Sequence, residues 1–460
     1  MIYLNKTALF WIAACALLFL MLGSADLWTQ EWRWADIIWR MRASGDYLHP
    51  HLAGQPYYDK PLLSYWMMLA TTRIFGLNEW GLRLPSALAG LLVLFSTRGI
   101  GNIIFDSSTA KLAAWLLLTS YFFVFWSRVA SADMLNVAGI LFALYWYFSK
   151  KHTPSFFSYT VFFSILASTC LIKGLIAAAV VFFVVATDLS WTHTWKQQFN
   201  NRFLLGLLIG IGLYITPFLL AHQSGSHENS LYLVYRENIL RFFSPFDHKD
   251  PWYSYFLYLP FYLLPWILVA AFSLTKKRIP WPTLNAQQKA FLISILLLFL
   301  FFTLSGSRRS YYILPLVPLC SLWIAKQLRT AHLEKFAARA IIVMYGLLLT
   351  WFAYFQPHYY QQHGLKPLAQ QIKQQAQHLA PWQNWHAIMI ATDDRLGFYL
   401  QTATPPLSFR SYHDVQDKKA LLKGPVIIIT TPEISATFPK EGKIIPPHQH
   451  DKFSIWLRSS

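Results

Sequence analysis

The chain has 460 residues, of which 55% are hydrophobic and 17% aromatic, while only 13% are charged; its mean hydropathy is +0.34. A soluble domain carries about 25% charged residues, so the balance excludes an ordinary water-soluble enzyme. The formal charge is +18, yet no basic, aromatic-interleaved module is present. This points to membrane lipid phosphates as the anionic partner and away from nucleic acid.

Apolar runs of about 16 to 22 residues recur from Thr7 to Tyr354, the length that crosses about 30 Å of hydrocarbon. They predict an α-helical polytopic membrane protein with about 11 transmembrane helices. The spans fall near 7–25, 81–99, 111–126, 134–149, 156–172, 174–189, 203–222, 252–274, 290–304, 311–326 and 340–354. The first ends in "LGSAD", a faint cleavage-site pattern, but its length favours a retained helix. Cys15, Cys170 and Cys320 each lie inside an apolar run, without metal or disulfide spacing, and read as packing residues.

Threading the spans gives two sets of loops. One carries Lys6, Arg98 with Lys111, Lys150-Lys151, Lys196 with Arg202, Lys276-Lys277-Arg278, and Lys326 with Arg329. Short, basic and nearly free of acids, these loops are expected on the cytoplasmic side. The other set holds most of the unusual residues. Its first loop, 26–80, contains Glu31, Trp34, Ile38 and Met41 at helical spacing, which suits an amphipathic helix at the membrane interface. That loop ends in "GQPYYDKPLLSYW", with adjacent Asp59 and Lys60 between Tyr57-Tyr58 and an apolar run.

Four further outer stretches carry charge at span edges. "SRVASADM" holds Arg128 and Asp133, and "LIKGL" holds Lys173. "YRENILRFFSPFDHKD" holds Arg236, Arg241 and His248, and "SGSRRSYY" holds Arg308, Arg309 and Tyr312. Ionisable groups at membrane depth default to functional hypotheses. Plainer readings stand beside them. Arg128 and Asp133 could pair with each other, Lys173 could snorkel to the headgroups, and Arg308-Arg309 could anchor a helix end. Together the basic residues look like an anion site: Lys and Arg hold a phosphate, acids act as base or orient a nucleophile, and aromatic rings stack on a sugar or line a lipid groove.

From about residue 356 the chain changes character. "KPLAQQIKQQAQHLA" reads as an amphipathic helix, and "HAIMIATDD" and "GPVIIITTPE" as buried strands. The expected organisation is a transmembrane domain over 1–355 and a small extracytoplasmic α/β domain over 356–460. The Asp393-Asp394 pair reads as a strand-end turn. No repeat of about 20 to 50 residues is visible.

The order "EWRWADI…SGD…PHLAGQPYYDKP…YW…FG…RLPSA", which includes Arg83, resembles the first outer loop of polyprenyl-phosphate-dependent GT-C glycosyltransferases. Aminoarabinose lipid A transferases and protein O-mannosyltransferases are the members it is most similar to. "SADM", "KGL", "YRENILRF" and "SGSRR..Y.LP" follow in the family's order, so the resemblance covers roughly residues 1 to 355. It implies transfer, with inversion, of a sugar from a polyprenyl (undecaprenyl) phosphate donor to an acceptor outside the cytoplasmic membrane: lipid A or another envelope glycolipid. It implies Glu31, Asp59 and Asp133 as the catalytic acids. Lys60, Tyr57, Tyr58, Arg83, Arg128, Lys173, Arg236, Arg241, His248, Arg308, Arg309 and Tyr312 would bind substrate. The active site and tail would face the periplasm from the inner membrane. No cofactor is required; a divalent cation shared by Asp59 and His248 is the one metal site that can be drawn.

Two positions depart from the family pattern. Gln30-Glu31 stands where members carry Asp-Glu, so Glu31 or Asp36 takes over as base, or the acceptor is already ionised, or activity is lost. Leu62 replaces a second proline. Protein O-glycosylation, an isoprenoid-lipid flippase and a non-catalytic lipid-binding protein are the alternative functions.

Overall fold

The computed structural model describes residues 6–223, 235–240, 243, 250–392, 394–416, 424–435, 443–445 and 453–458. The described helices begin with α1 (Lys6–Phe19), α2 (Glu31–Ser44), α3 (Leu63–Phe75), α4 (Glu79–Ile104), α5 (Ser107–Leu118), α6 (Tyr121–Ser127), α7 (Ala132–Lys150), α8 (Phe156–Lys173) and α9 (Ile176–Thr192). The chain divides into two compact units. The first comprises Met1–Leu20, Tyr58–Met67 and Arg83–Trp351; the second comprises Met21–Tyr57, Met68–Leu82 and Phe352–Ser460. The units divide at Trp351/Phe352, and most of the first outer loop groups with the tail.

The first unit is a helical bundle. Among the described residues five helices are long and apolar enough to cross a membrane, or up to seven if each of two bent pairs is one span; α1 and α9 are shorter apolar helices. Two expected spans are broken. α5 and α6 meet at 71°, where the Thr119 and Ser120 hydroxyls donate to the carbonyls of Trp115 (2.6 Å) and Leu116 (2.9 Å) and bend the ladder. Ser254–Tyr262 and Trp266–Lys276 meet at 93°, at Pro265, which has no N–H to give.

Close packing in the bundle depends on small residues. Gly206 and Gly210, one turn apart on the helix Asn201–Gln223, face Tyr159 and Phe163 of α8; a Cβ at either would come within 2.8 Å of those side chains. Without hydrophobic drive in lipid, such close approach is what holds helices together. At the other end of α8, Gly174 takes φ +109°, stops the helix, and leaves Lys173 as its last residue.

In the second unit, among the described residues, a five-stranded mixed sheet has the order β4 (Leu407–Phe409), β3 (His386–Ile390), β5 (Val426–Thr430), β7 (Ser454–Arg458), β6 (Lys443–Ile445). β3 runs parallel to β4 and β5, and β7 antiparallel to β5 and β6. The expected helix is Leu365–Gln377, whose Leu365, Leu368, Ile372 and Ala376 cover one face with Ala387, Met389, Ile427 and Ile429. Ile388, Ile390, Val426, Ile428 and Trp456 form a second core on the other face. Strand alternation at period two therefore serves two layers.

The first-loop helix α2 is where expected, and its Trp34, Ile38 and Met41 are buried. Its other side, which carries Asp36, Trp39 and Arg40, meets the tail. The Trp39 and Phe398 rings meet edge to face at 6.4 Å, the Leu27 N–H donates to Tyr399 Oη at 2.7 Å, and Arg40 donates to the Pro406 carbonyl. The tail supplies the apolar partner that a lone loop helix lacks. The short hairpin β1 (His51–Leu52) and β2 (Gln55–Pro56) follows α2, and α3 adds a helix that the loop sequence did not suggest.

Candidate active site

In the first unit, several expected residues gather at the N-terminal end of α7. Ser131 caps α7, its hydroxyl accepting from the Asp133 N–H, and Asp133 lies in the first turn. Its carboxylate accepts from Lys173 Nζ. Lys173 also sits over the Tyr311 ring at 5.4 Å and the Tyr312 ring at 5.0 Å. One ammonium thus joins α7, α8 and the turn Ser310–Ile313 through an ion pair and two cation–π contacts.

Arg128, at the end of α6, does not pair with Asp133. Its guanidinium donates to the Leu17 and Leu20 carbonyls, each at 2.9 Å, which anchors the end of α1. Arg83 is buried as well and lies close enough for the two positive charges to act on each other. The structure thus puts two enclosed positive charges within electrostatic reach of each other.

Arg308 is committed to carbonyls: Nε donates to Asp250 O at 2.7 Å and Nη1 to Thr303 O at 3.2 Å and to Ser305 O. This is helix-end anchoring. Arg309 is tied through its backbone, its N–H donating to Tyr255 Oη and its carbonyl accepting from the same hydroxyl at 3.2 Å. Behind them Trp126 Nε1 donates to Tyr262 Oη at 3.2 Å and the Trp126 ring lies 5.1 Å from Tyr311. Trp126, Tyr255 and Tyr262 were not singled out in the sequence, because nothing in an apolar aromatic run distinguishes a site wall from packing.

The acids differ in what engages them. Glu31 is fully enclosed, and its carboxylate accepts from the Trp28 N–H at 2.6 Å, just ahead of α2. Gln30, at the N-cap, makes no side-chain cap. Asp36 accepts from Arg40 Nε at 2.8 Å and from the Ala53 N–H at 2.7 Å. Asp133 holds Lys173. The Asp59 carboxylate has no hydrogen bond or ion pair among the described residues: its neighbour Lys60 donates to the Asp59 backbone carbonyl instead, at 3.1 Å. Tyr57 is held through its N–H on Pro50 O, and Tyr58 and Lys60 are half-buried. Arg236 is half-exposed, 3.5 Å from Glu237. Arg241 and His248 lie outside the described residues, and so does the shared Asp59–His248 cation site.

A family profile described as dolichyl-phosphate-mannose-protein mannosyltransferase matches residues 59–220. ArnT from Cupriavidus metallidurans bound to undecaprenyl phosphate is similar to this chain with a TM-score of 0.79 at 17% identity, over 98% of this chain and 97% of that one. The chain has the GT-C fold. The profile and two sequence relatives make the chain similar to polyprenyl-phosphate glycosyltransferases. The undecaprenyl phosphate-alpha-4-amino-4-deoxy-L-arabinose arabinosyl transferase 2 of Pseudomonas fluorescens (strain Pf0-1) is 28% identical over 354 residues, covering 71% of this chain. The corresponding arabinosyl transferase of Pseudomonas paraeruginosa (strain DSM 24068 / PA7) is 27% identical over 310 residues, covering 65% of this chain. This GT-C chain spans 60% and 56% of the length of those two relatives.

Proposed function

We propose that the chain is an integral membrane glycosyltransferase. It takes a sugar from a polyprenyl phosphate donor and passes it to an acceptor outside the cytoplasmic membrane, lipid A or another envelope glycolipid. The observation that carries this reading is the cationic cluster of Arg83, Arg128 and Lys173 at one end of the bundle. The relatives that are named for undecaprenyl phosphate-linked aminoarabinose support it. In this reading the cluster faces the periplasm, opposite the basic loops.

The chemistry follows from the charges. The acceptor oxygen attacks the anomeric carbon as the bond to the lipid phosphate breaks, and direct displacement inverts the centre. The leaving phosphate gains charge as that bond breaks, and cations preorganised around it lower the barrier. Arg83 and Arg128 stabilise the phosphate. Lys173, set by Asp133 and the two tyrosines, reaches it as a positioned ammonium. Asp59 orients or deprotonates the acceptor, because its carboxylate is not already engaged by a described residue. Glu31 instead holds the start of α2, and Asp133 acts through Lys173.

Mass spectrometry of lipid A and other envelope glycolipids tests the reading, with a deletion strain complemented by each variant. Deletion removes one sugar, whose mass identifies it. Asp59→Asn lowers its restoration by about 10²- to 10⁴-fold, the usual worth of a positioned base, whereas Glu31→Gln, which keeps an acceptor for the Trp28 N–H, restores it. Full restoration by Asp59→Asn overturns the assignment of Asp59. An unchanged glycolipid profile on deletion overturns the lipid acceptor. The second reading is then protein O-glycosylation, favoured by the mannosyltransferase profile over 59–220.

A further inference from the structure

The first unit contains a cavity of about 340 Å³ enclosed by α7, α8, α9 and the segment 195–207. Its wall is almost wholly apolar: Phe162, Phe163, Val181, Phe182, Phe199 and Phe203 supply much of it. It opens to the outside of the bundle, since Phe182 and Phe199 are 63% and 55% exposed. It is remote from the candidate active site. Asp133 lies in the first turn of α7 and Lys150, a wall residue, in the last, which separates them by about 25 Å along the helix.

One end of this cavity is basic. Lys151 is buried and spent: Nζ donates to both oxygens of Asp188 at 3.0 and 2.9 Å, and Tyr147 Oη donates to Asp188 at 2.7 Å. Gln198 Nε2 donates to the Lys151 carbonyl at 2.7 Å and accepts at its own carbonyl from Tyr159 Oη at 2.8 Å. This plug closes the cavity floor and fixes the segment 195–199 against α7. It uses up Asp188, the one acid between residues 150 and 202. Of the remaining basic residues, Lys150 lines the cavity, and Lys196 and Arg202 adjoin the wall residues Trp195 and Phe203 in sequence; all three are exposed. Lys150 lies over the Trp146 ring at 5.5 Å, Lys196 follows the wall residue Trp195, and the charge of Arg202 reaches Tyr159. None of the three makes an ion pair among the described residues.

Length agrees with charge. On α9 the wall runs from Ala178 to Leu189, about 16 Å of helix axis, which is close to one leaflet's share of a hydrocarbon core about 30 Å thick.

We propose that this cavity is a binding site for an anionic glycerophospholipid. One acyl chain lies along α9 between Phe162 and Phe182, and the headgroup phosphate sits on Lys150, Lys196 and Arg202. The lipid fills the gap between α8 and α9 and neutralises a rim that the protein leaves positive. The site is separate from the donor-phosphate cluster and holds its occupant in the opposite leaflet.

Native mass spectrometry of the whole purified chain tests this, after exchange into micelles holding equal amounts of phosphatidylglycerol and phosphatidylcholine. A cation near an anionic headgroup contributes about a fivefold preference. We therefore expect retained lipid to favour phosphatidylglycerol by at least about tenfold, and Lys150→Gln with Lys196→Gln and Arg202→Gln to bring the ratio near one. These are exposed positions, so the fold is retained. Ala178→Trp, which fills the cavity, should lower retention of both lipids. Equal retention of the two lipids by the natural sequence overturns the proposal, as does a preference that survives the triple change. Adding a polyprenyl phosphate as a third competitor separates the remaining alternative: if it displaces phosphatidylglycerol, the cavity belongs to the donor pathway and the proposal fails. None of these outcomes depends on transferase activity, so the proposed function stands or falls separately.

Discussion

Two lysine–aspartate pairs cross the same bundle and do different work. Lys151–Asp188 is closed on all sides: the side chains are 5% and 3% exposed, both carboxylate oxygens are used, and Tyr147 adds a third hydrogen bond. Lys173–Asp133 is looser, at 13% and 9% exposure. It uses one carboxylate oxygen and is walled by two tyrosine rings instead of further donors. A fully satisfied buried pair locks geometry. A pair with unused hydrogen-bonding capacity, at a helix end broken by Gly174, can still bind something.

Breaking the closed pair has the largest expected effect. Lys151→Ala leaves Asp188 and Tyr147 buried without their cation and should destabilise the protein by about 3–5 kcal/mol. Thermal unfolding in detergent reads this directly; a midpoint within error of the natural protein means the pair is not structural. Lys173→Ala should weigh on activity more than on stability. Its unfolding midpoint shifts less than that of Lys151→Ala, while transfer falls by about 10²- to 10³-fold, the worth of one preorganised group on a developing charge. If both variants lose stability alike, the contrast between the pairs disappears.

The smallest effect concerns the second unit. Burial and the nearby Glu79 raise the pKa of Asp26, although the Leu365 N–H, Lys366 and Arg395 act against them. Lys366 Nζ, at 2.7 Å from Glu79, serves both acids. A carboxyl whose pKa is higher folded than unfolded binds its proton more tightly in the native state. Its contribution to stability is full below the ordinary carboxylate range and is lost as pH rises through that range and above it. Unfolding midpoints measured from pH 4 to 8 should therefore fall more steeply for the natural protein than for Asp26→Asn, which keeps an acceptor for Leu365. Parallel curves would remove Asp26 as the cause.

Much of this arrangement was legible in advance. Helix length and apolar runs set the bundle, because a chain in lipid must satisfy its backbone within each helix. The tail helix and its two central strands followed from periodicity alone. The fate of individual charges was not legible. Arg128 and Asp133, five residues apart, looked like partners, yet Arg128 caps α1 and Asp133 reaches α8. Lys151 was expected only as a loop charge, and Asp188, inside an apolar run, was not singled out at all. Arg308 and Arg309 looked alike, and only Arg308 turns its guanidinium onto three carbonyls. The first outer loop was expected to hold an amphipathic helix at the membrane interface; only the structure shows that Trp34, Ile38 and Met41 of α2 are buried and that Trp39 meets Phe398 of the tail.

By itself, then, the sequence determined the class of the protein, its GT-C-like order of motifs and which residues carry charge. Those properties depend on composition and on neighbours along the chain. The tertiary structure alone decided which charges are spent on one another, that the Asp59 carboxylate is unengaged among the described residues, and that the cavity beside α9 has a basic rim. Such properties depend on distances between residues far apart in sequence, where the desolvation of a buried charge makes each pairing compulsory.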